Sequence, residues 1–206
     1  MAKSNRTGTR DTGTRDKILD ACAHIMLTEG YAAATSRRIA EEVGVQRALV
    51  YYYFPTMDEL YLAVLRRGSE ASLETQRTAL NADQPLHALW DLTVDPRGVG
   101  LLTEFMALGN HRKEIRAELA AGAEKFREAQ VAALTFILRS RPGNPAIAPD
   151  VVSVLIAALG RLIVLEAAMG ITTGHANTMD LVREFLNDYE LAEHEPSAGA
   201  QPPLSK

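Results

Sequence analysis

The stretch Thr35-Ser-Arg-Arg-Ile-Ala-Glu-Glu-Val-Gly-Val-Gln-Arg-Ala-Leu-Val-Tyr-Tyr-Tyr-Phe54 constrains this chain more than any other. It reads as a helix, a tight turn and a second helix. A hydroxyl of Thr35 or Ser36 can cap the first helix, although Arg38 occupies the turn where a glutamate would complete a capping box. Ile39, Ala40 and Val43 recur at helical spacing and make one apolar face. Gly44 supplies the turn because it tolerates positive φ. Val50 and Phe54, four apart on the second helix, should pack on the first. Ala48, Leu49, Tyr51 and Tyr52 then turn outward, with Gln46 and Arg47 leading. A short helix presenting arginine, glutamine and tyrosine suits the major groove of DNA. A surface hairpin in an ordinary helical domain would show the same geometry. Three successive tyrosines favour the groove, because one short helix cannot bury three phenols on three sides, and an outward phenol can donate to phosphate or stack.

These residues resemble the DNA-binding domain of the TetR family of bacterial transcription regulators. The resemblance rests on Thr35-Ser-Arg-Arg-Ile-Ala40, Val43-Gly-Val45, Tyr51-Tyr-Tyr-Phe54 and Asp58-Glu-Leu60, with Ile18-Leu-Asp-Ala-Cys22 and Glu29-Gly-Tyr31 upstream. It covers roughly residues 15–65; beyond them only helical character and length agree. What it implies is a homodimer on a palindromic double-stranded DNA operator, most often a repressor, released by a small apolar or amphipathic effector. On the matching positions it implies that Ser36 contacts phosphate and Arg37 reads a base. Gln46, Arg47 and Leu49 enter the major groove, and Tyr51 and Tyr53, joined by Tyr52, hold the backbone. Four positions depart from the family pattern. Ala48 replaces a common glycine and Leu49 a small hydroxyl residue, so Leu49 can touch a thymine methyl but cannot hydrogen-bond. Met57 replaces a common lysine and Tyr53 a frequent histidine, which leaves the operator sequence open.

Charge is distributed in keeping with this reading. The 206 residues carry a formal net charge of −4, yet residues 1–56 hold 8 lysines and arginines against 6 acids. The positive excess therefore sits with the candidate DNA reader. Cys22 is the single cysteine, so no intrachain disulfide can form, and its place in the stripe of Ile18, Ile25 and Met26 marks a small core residue. The N-terminus lacks the basic stub and apolar run of a signal peptide. Arg161 and Glu166 interrupt the most apolar stretch, 151–170, so no membrane partner is expected and a cytoplasmic protein is.

The chain is expected to be all-α, a three-helix DNA-binding domain followed by a helical ligand-binding and dimerisation domain. Residues 1–13 read as a disordered basic arm, whose Lys3, Arg6 and Arg10, with Arg15 just beyond, could reach a minor groove. The helix-turn-helix domain takes 14–56, with its first helix from Asp16 to Glu29, and a connecting helix takes 57–80, capped by Thr56 with Glu59. The helical second domain spans 81–194, with a loop at 139–149 and a last helix capped by Asn177 or Thr178; residues 195–206 read as a disordered tail.

No catalytic constellation emerges, and neither a cofactor nor a metal is expected. His24, His87, His111, His175 and His194 lack metal-ligand spacing, and no Gly-rich phosphate loop or nucleophile elbow occurs. Trp90, Leu102, Phe105, Met106, Phe126 and Phe136 can line an apolar ligand pocket or form solid core. The helix bearing Leu155, Leu159, Leu162 and Met169 is apolar almost all round, and an amphipathic helix with Leu181 and Phe185 follows. The pair can bury within the monomer or pack on its symmetry mate as a four-helix dimer interface. Coupling between effector and DNA is expected to pass along helix 57–80. The alternative function is a helical small-molecule carrier or cofactor-independent enzyme that carries a hairpin with no role in DNA binding.

Overall fold

A computed structural model describes residues 7–139 and 148–190. Its described residues form α-helices and one 3-10 turn, with no strand. The helices are α1 (Thr7–Glu29), α2 (Ser36–Val43), α3 (Arg47–Tyr53), α4 (Met57–Leu80), α5 (Pro85–Thr93), α6 (Pro96–Gly109), α7 (Lys113–Arg139), α8 (Pro149–Ala168) and α9 (His175–Glu190). The all-α expectation holds.

Local chemistry sets the helix ends. Thr35 accepts the Arg38 amide at 3.2 Å, so Thr35 rather than Ser36 caps α2. Gly44 ends that helix in the left-handed region, φ 72°. Thr56 caps α4 by accepting the Glu59 amide at 3.1 Å. Asp95 caps α6 through the amides of Arg97 and Gly98. The last helix starts at His175, ahead of the Asn177 or Thr178 cap expected. There Gly174 turns the chain at φ 85°, and the His175 ring lies 2.7 Å from the Glu166 carboxylate, tying the helix start to the end of α8.

The first helix begins at Thr7 rather than Asp16. Ile18, Leu19, Cys22, Ile25 and Met26 are all buried and fix its later turns. Once those are nucleated, each further residue adds a hydrogen bond at little cost, so the helix extends through polar sequence. The disordered arm is thus corrected for residues 7–13; residues 1–6, with Lys3 and Arg6, lie outside the described residues, as does the tail 195–206. Arg15 does not extend toward a groove either: its guanidinium stacks 5.1 Å from the Phe54 ring centroid and covers the junction of α3 and α4.

Two apolar clusters hold the chain together. The first gathers the buried faces of α1 to α4 and adds Phe105 and Leu108 from α6 and Ile115 from α7. The core beneath the helix-turn-helix therefore crosses both boundaries drawn at 56 and 80, because α6 lies directly against α1. Two polar contacts reinforce that joint. The Tyr31 amide donates to the Glu104 carboxylate at 2.7 Å, and Arg112 ion-pairs with Asp58 while stacking over Tyr61. Tyr61 in turn donates its hydroxyl to the Ala34 carbonyl at 2.8 Å. The second cluster joins Leu86, Trp90, Leu134, Val152, Ile156 and Leu186, from α5, α7, α8 and α9. Here α8 comes so near α5 that a Cβ at Gly160 would lie 2.3 Å from Thr93 Oγ1, so only glycine fits.

Cys22 sits at the centre of the first cluster, and burial pushes its thiol up to about 12. The thiolate is the reactive form, so a disulfide reagent should label the folded protein only through unfolding. Labelling should accelerate across the denaturant transition in step with the loss of helical signal. Rapid labelling without denaturant would contradict the packing of α1.

Candidate nucleic-acid interface

The outer face of the helix-turn-helix is built around three side chains that hold one another. Arg47, the first residue of α3, donates from Nε to Ser36 Oγ at 2.9 Å and from a terminal nitrogen to the Tyr51 phenol at 3.0 Å. Ser36 donates its own hydrogen to the Tyr51 oxygen at 3.1 Å. The guanidinium also lies 5.3 Å from the Tyr51 ring centroid. The spacing of 47 and 51 is one helical turn, which brings these side chains onto one face. The Ser36 and Arg47 hydrogen bonds hold the Tyr51 phenol below the usual tyrosine range. Accepting two bonds, the oxygen keeps its own hydrogen to donate outward.

This arrangement corrects the place of Ser36. Its residue is only 4 % exposed and its hydroxyl is committed to Arg47 and Tyr51, so it orients those two side chains rather than offering itself to a phosphate. Arg37 projects fully into solvent, held only by Glu41 one turn on, at 3.0 Å. Its neighbour Arg38 points the other way, clamped between Glu29 and Glu42, and so fastens α2 to α1. Gln46, Ala48, Leu49 and Tyr52 line a shallow, mainly apolar depression with Val45 on the outside of α3. Tyr52 is 72 % exposed. Tyr53 is half-buried against the first core cluster, with its ring edge-on to Tyr52 at 5.2 Å. Arg37, Gln46, Arg47, Leu49, Tyr51 and Tyr52 thus share one exposed surface, while Ser36 and Tyr53 support it from behind.

The six residues suggested for a ligand pocket do not converge. Phe105 belongs to the first cluster and Trp90 to the second. Met106, 53 % exposed, and Phe136, 79 % exposed, sit on outward faces of α6 and α7, because their helical phases oppose those of Phe105 and Leu134. Leu102 and Phe126 are half-buried. The residues suggested for a dimer interface fare differently. Leu155, Leu162, Met169, Leu181 and Phe185 are all exposed, whereas Leu159 packs against the second cluster. Helix α8 is long and apolar enough to cross a membrane by length and composition, with a mean hydropathy of 2.2. It buries Val152, Ser153, Ile156 and Gly160 against the rest of the chain and leaves its other flank open. Among the described residues no group of three or more His, Cys, Asp or Glu is placed to hold a metal ion.

Two features escaped sequence reasoning. The Glu104 contact to the Tyr31 amide joins residues far apart in the chain, and no local pattern announces it. A polar seam of Gln76, Arg127, Gln130 and Ser153 lies inside the second half, where each residue looks like a solvated helix position when read alone.

A compact all-α bundle with this exposed reader face is a helix-turn-helix protein. The family model of the bacterial regulatory proteins of the tetR family matches residues 18–64, the span that contains the whole hairpin and parts of α1 and α4. Residues 18–64 are thus similar to the N-terminal domain of that family. It is 30% identical over 69 residues to the transcriptional repressor AcnR of Corynebacterium efficiens and 36% identical over 81 residues to the transcriptional activator FasR of Mycolicibacterium smegmatis. These matches take in 34% and 38% of the chain, and only 37% of the length of either relative. The fold likeness extends much further. A protein from Saccharomonospora viridis solved in complex with choline superposes with a TM-score of 0.72 at 20% identity, covering 89% of this chain and 97% of the other. A TetR transcription regulator from Haloarcula marismortui gives 0.69 at 20% identity, over 88% and 98%.

Proposed function

We propose that this chain is a homodimeric transcription regulator that binds a roughly palindromic DNA operator and is not an enzyme. The observation that carries the reading is the Arg47–Ser36–Tyr51 lock, which sets a cation and a free phenolic hydrogen on the exposed side of α3 before any DNA arrives. Preorganised donors lose little conformational freedom on binding. In this reading Tyr51 takes phosphate, with Tyr53 steadying it and Tyr52 joining at the backbone, and Arg47 enters the major groove. Gln46 and Leu49 face base edges in the major groove, and the apolar depression beside Leu49 suits a thymine methyl. Arg37, anchored only by an exposed carboxylate, is free to reach a guanine.

The exposed apolar flank of α8, with Leu181 and Phe185 of α9, supports dimerisation, since a patch of this kind on a lone chain marks an interaction surface. A two-fold dimer presents two α3 helices to half-sites about one helical turn apart. The C-terminal helices would take a small-molecule effector; one fold neighbour was solved in complex with choline. Repression and activation both occur among the relatives, and the shared third of the chain is the DNA reader, so it does not fix the sign. A cytoplasmic location follows from this role.

The test is a mobility shift with DNA flanking the protein's own gene, followed by selection from random duplexes. Enrichment of a palindrome supports the reading; no retardation of either pool by the purified dimer would end it. On the selected site, Arg37→Ala should weaken binding by about 1–3 kcal/mol and relax the preference at one base pair in each half-site. Equal weakening on random duplex would assign Arg37 to phosphate instead.

A further inference from the structure

In the second half of the chain, charge and hydrogen bonding are left incomplete in one place. Gln76 of α4 and Gln130 of α7 are each 1 % exposed, and Ser153 of α8 is fully buried. Gln76 donates its amide to the Phe126 carbonyl at 3.2 Å, and Ser153 donates to the Gln130 side-chain oxygen while accepting from Arg127 at 3.0 Å. One bond per amide is therefore made. Gln76 Oε1 and Gln130 Nε2 remain buried without a partner, as does the indole N–H of Trp90 in the neighbouring cluster. Buried polar groups are normally satisfied, so an acceptor and two donors left open within one region indicate something that completes them.

The charges of this region are equally one-sided. Arg38, Arg66, Arg67 and Arg112 each hold a carboxylate. Arg127 and Arg161 do not: among the described residues neither has an ion-pair partner, although both are half-buried. Arg161 follows Ser153 two turns along α8, close enough to Arg127 for their charges to repel. Burial first, and Arg127 second, hold its pKa below the usual guanidinium value. A protein seldom places two unpaired guanidiniums together in a partly desolvated seam unless an anion is to join them.

The geometry points to a carboxylate-binding site in the seam of α4, α7 and α8, where Arg127 and Arg161 grip a small organic acid, Gln76 Oε1 accepts from a hydroxyl or N–H of that acid and Gln130 Nε2 donates to one of its oxygens. Arg127 and Arg161 are half-buried, and Gln76, Gln130 and Ser153 are buried beside them. The inference deepens the effector reading above and rests on it. It also commits to a charge: the site selects an anion and rejects a cation of similar size.

The intact protein is titrated with salicylate and L-malate, with salicylamide as the neutral isostere and tetramethylammonium as the cation. Melting temperature is followed together with the emission of Trp90, the single tryptophan. At least one carboxylate should raise the melting temperature and alter the emission, and the amide and the cation should do neither. Arg161→Gln and Arg127→Gln should each weaken the carboxylate about tenfold or more. Without ligand, Arg161→Gln should melt about 2–4 °C higher, because it removes one of two repelling charges that serve binding and not stability. The site is overturned if neither carboxylate acts at millimolar concentration, if salicylamide matches salicylate, or if both variants keep the wild-type affinity. The variants' operator affinity, measured without ligand, should equal wild type, so a failed DNA reader would show separately. A carboxylate that binds but leaves operator affinity unchanged would overturn the seam as an effector site.

Discussion

Phe105→Ala should cost about 3–5 kcal/mol of folding stability, the usual range for emptying a fully packed aromatic site. Phe105 comes from α6, yet it is buried among residues of the DNA reader. The cavity would open at the joint between the two halves, where a Cβ added at Gly100 would lie 3.3 Å from Leu27. The loss should therefore appear as one transition at lower denaturant, with DNA binding failing alongside it. Met106→Ala, one residue on but exposed, should change stability by less than about 0.5 kcal/mol. Equilibrium unfolding followed by circular dichroism and by Trp90 emission checks both. Two separated transitions in the unmodified protein would show that the shared core does not couple the halves. A loss near that of Met106→Ala would show that Phe105 is not packed as described.

That shared core also changes how an effector could reach the DNA. Helix α4 runs from one half to the other, and the sequence makes it the obvious lever. The structure adds α6, which meets α1 through Phe105, Leu108 and the Glu104 bond to the Tyr31 amide. A ligand that moves α6 or α4 would act on the supports of α3 directly. Its effect is limited by its differential affinity for the two arrangements, typically about 1–3 kcal/mol.

The contrast between what could and could not be read in advance follows from range. Gly44, the Thr35 and Thr56 caps and the Val50–Phe54 pair work within a few residues, so the hairpin is legible from local pattern alone. The last helix of the second half was likewise visible, although it starts at His175 rather than after an Asn177 or Thr178 cap. Which face of those helices meets which neighbour was not visible. Met106 and Phe136 look like Phe105 and Leu134 in composition and differ only in phase relative to partners distant in the chain. The contact across the domain boundary was hidden for the same reason: the chain breaks between α4 and α5, and α6 folds back across that break onto α1. Ser36 shows the limit at the site itself. Its type and position matched a phosphate ligand, and only three-dimensional placement shows the hydroxyl turned inward to Arg47 and Tyr51.

Leu162→Glu should dissociate the dimer and abolish operator binding together. Leu162 is 52 % exposed on the open flank of α8, so a glutamate there costs the monomer little. Leu159, half-buried against the second cluster, would be a poor choice, because a charge at that position would damage the fold itself. In a two-fold interface the same side chain occurs on both partners, and two carboxylates would be desolvated near one another without a cation. Each desolvation costs several kcal/mol, enough to separate a dimer of ordinary affinity at micromolar concentration. The monomer would still fold, with unchanged helical content and a lower melting temperature only by the loss of its partner. It would meet one half-site instead of two, and the second α3 would no longer be held about 34 Å away to engage the other. Light scattering and a mobility shift on the same preparations test both parts. A dimer that persists in Leu162→Glu and also in Leu155→Glu would place the interface elsewhere. A monomer that still binds the full operator as tightly as wild type would show that each reader acts alone.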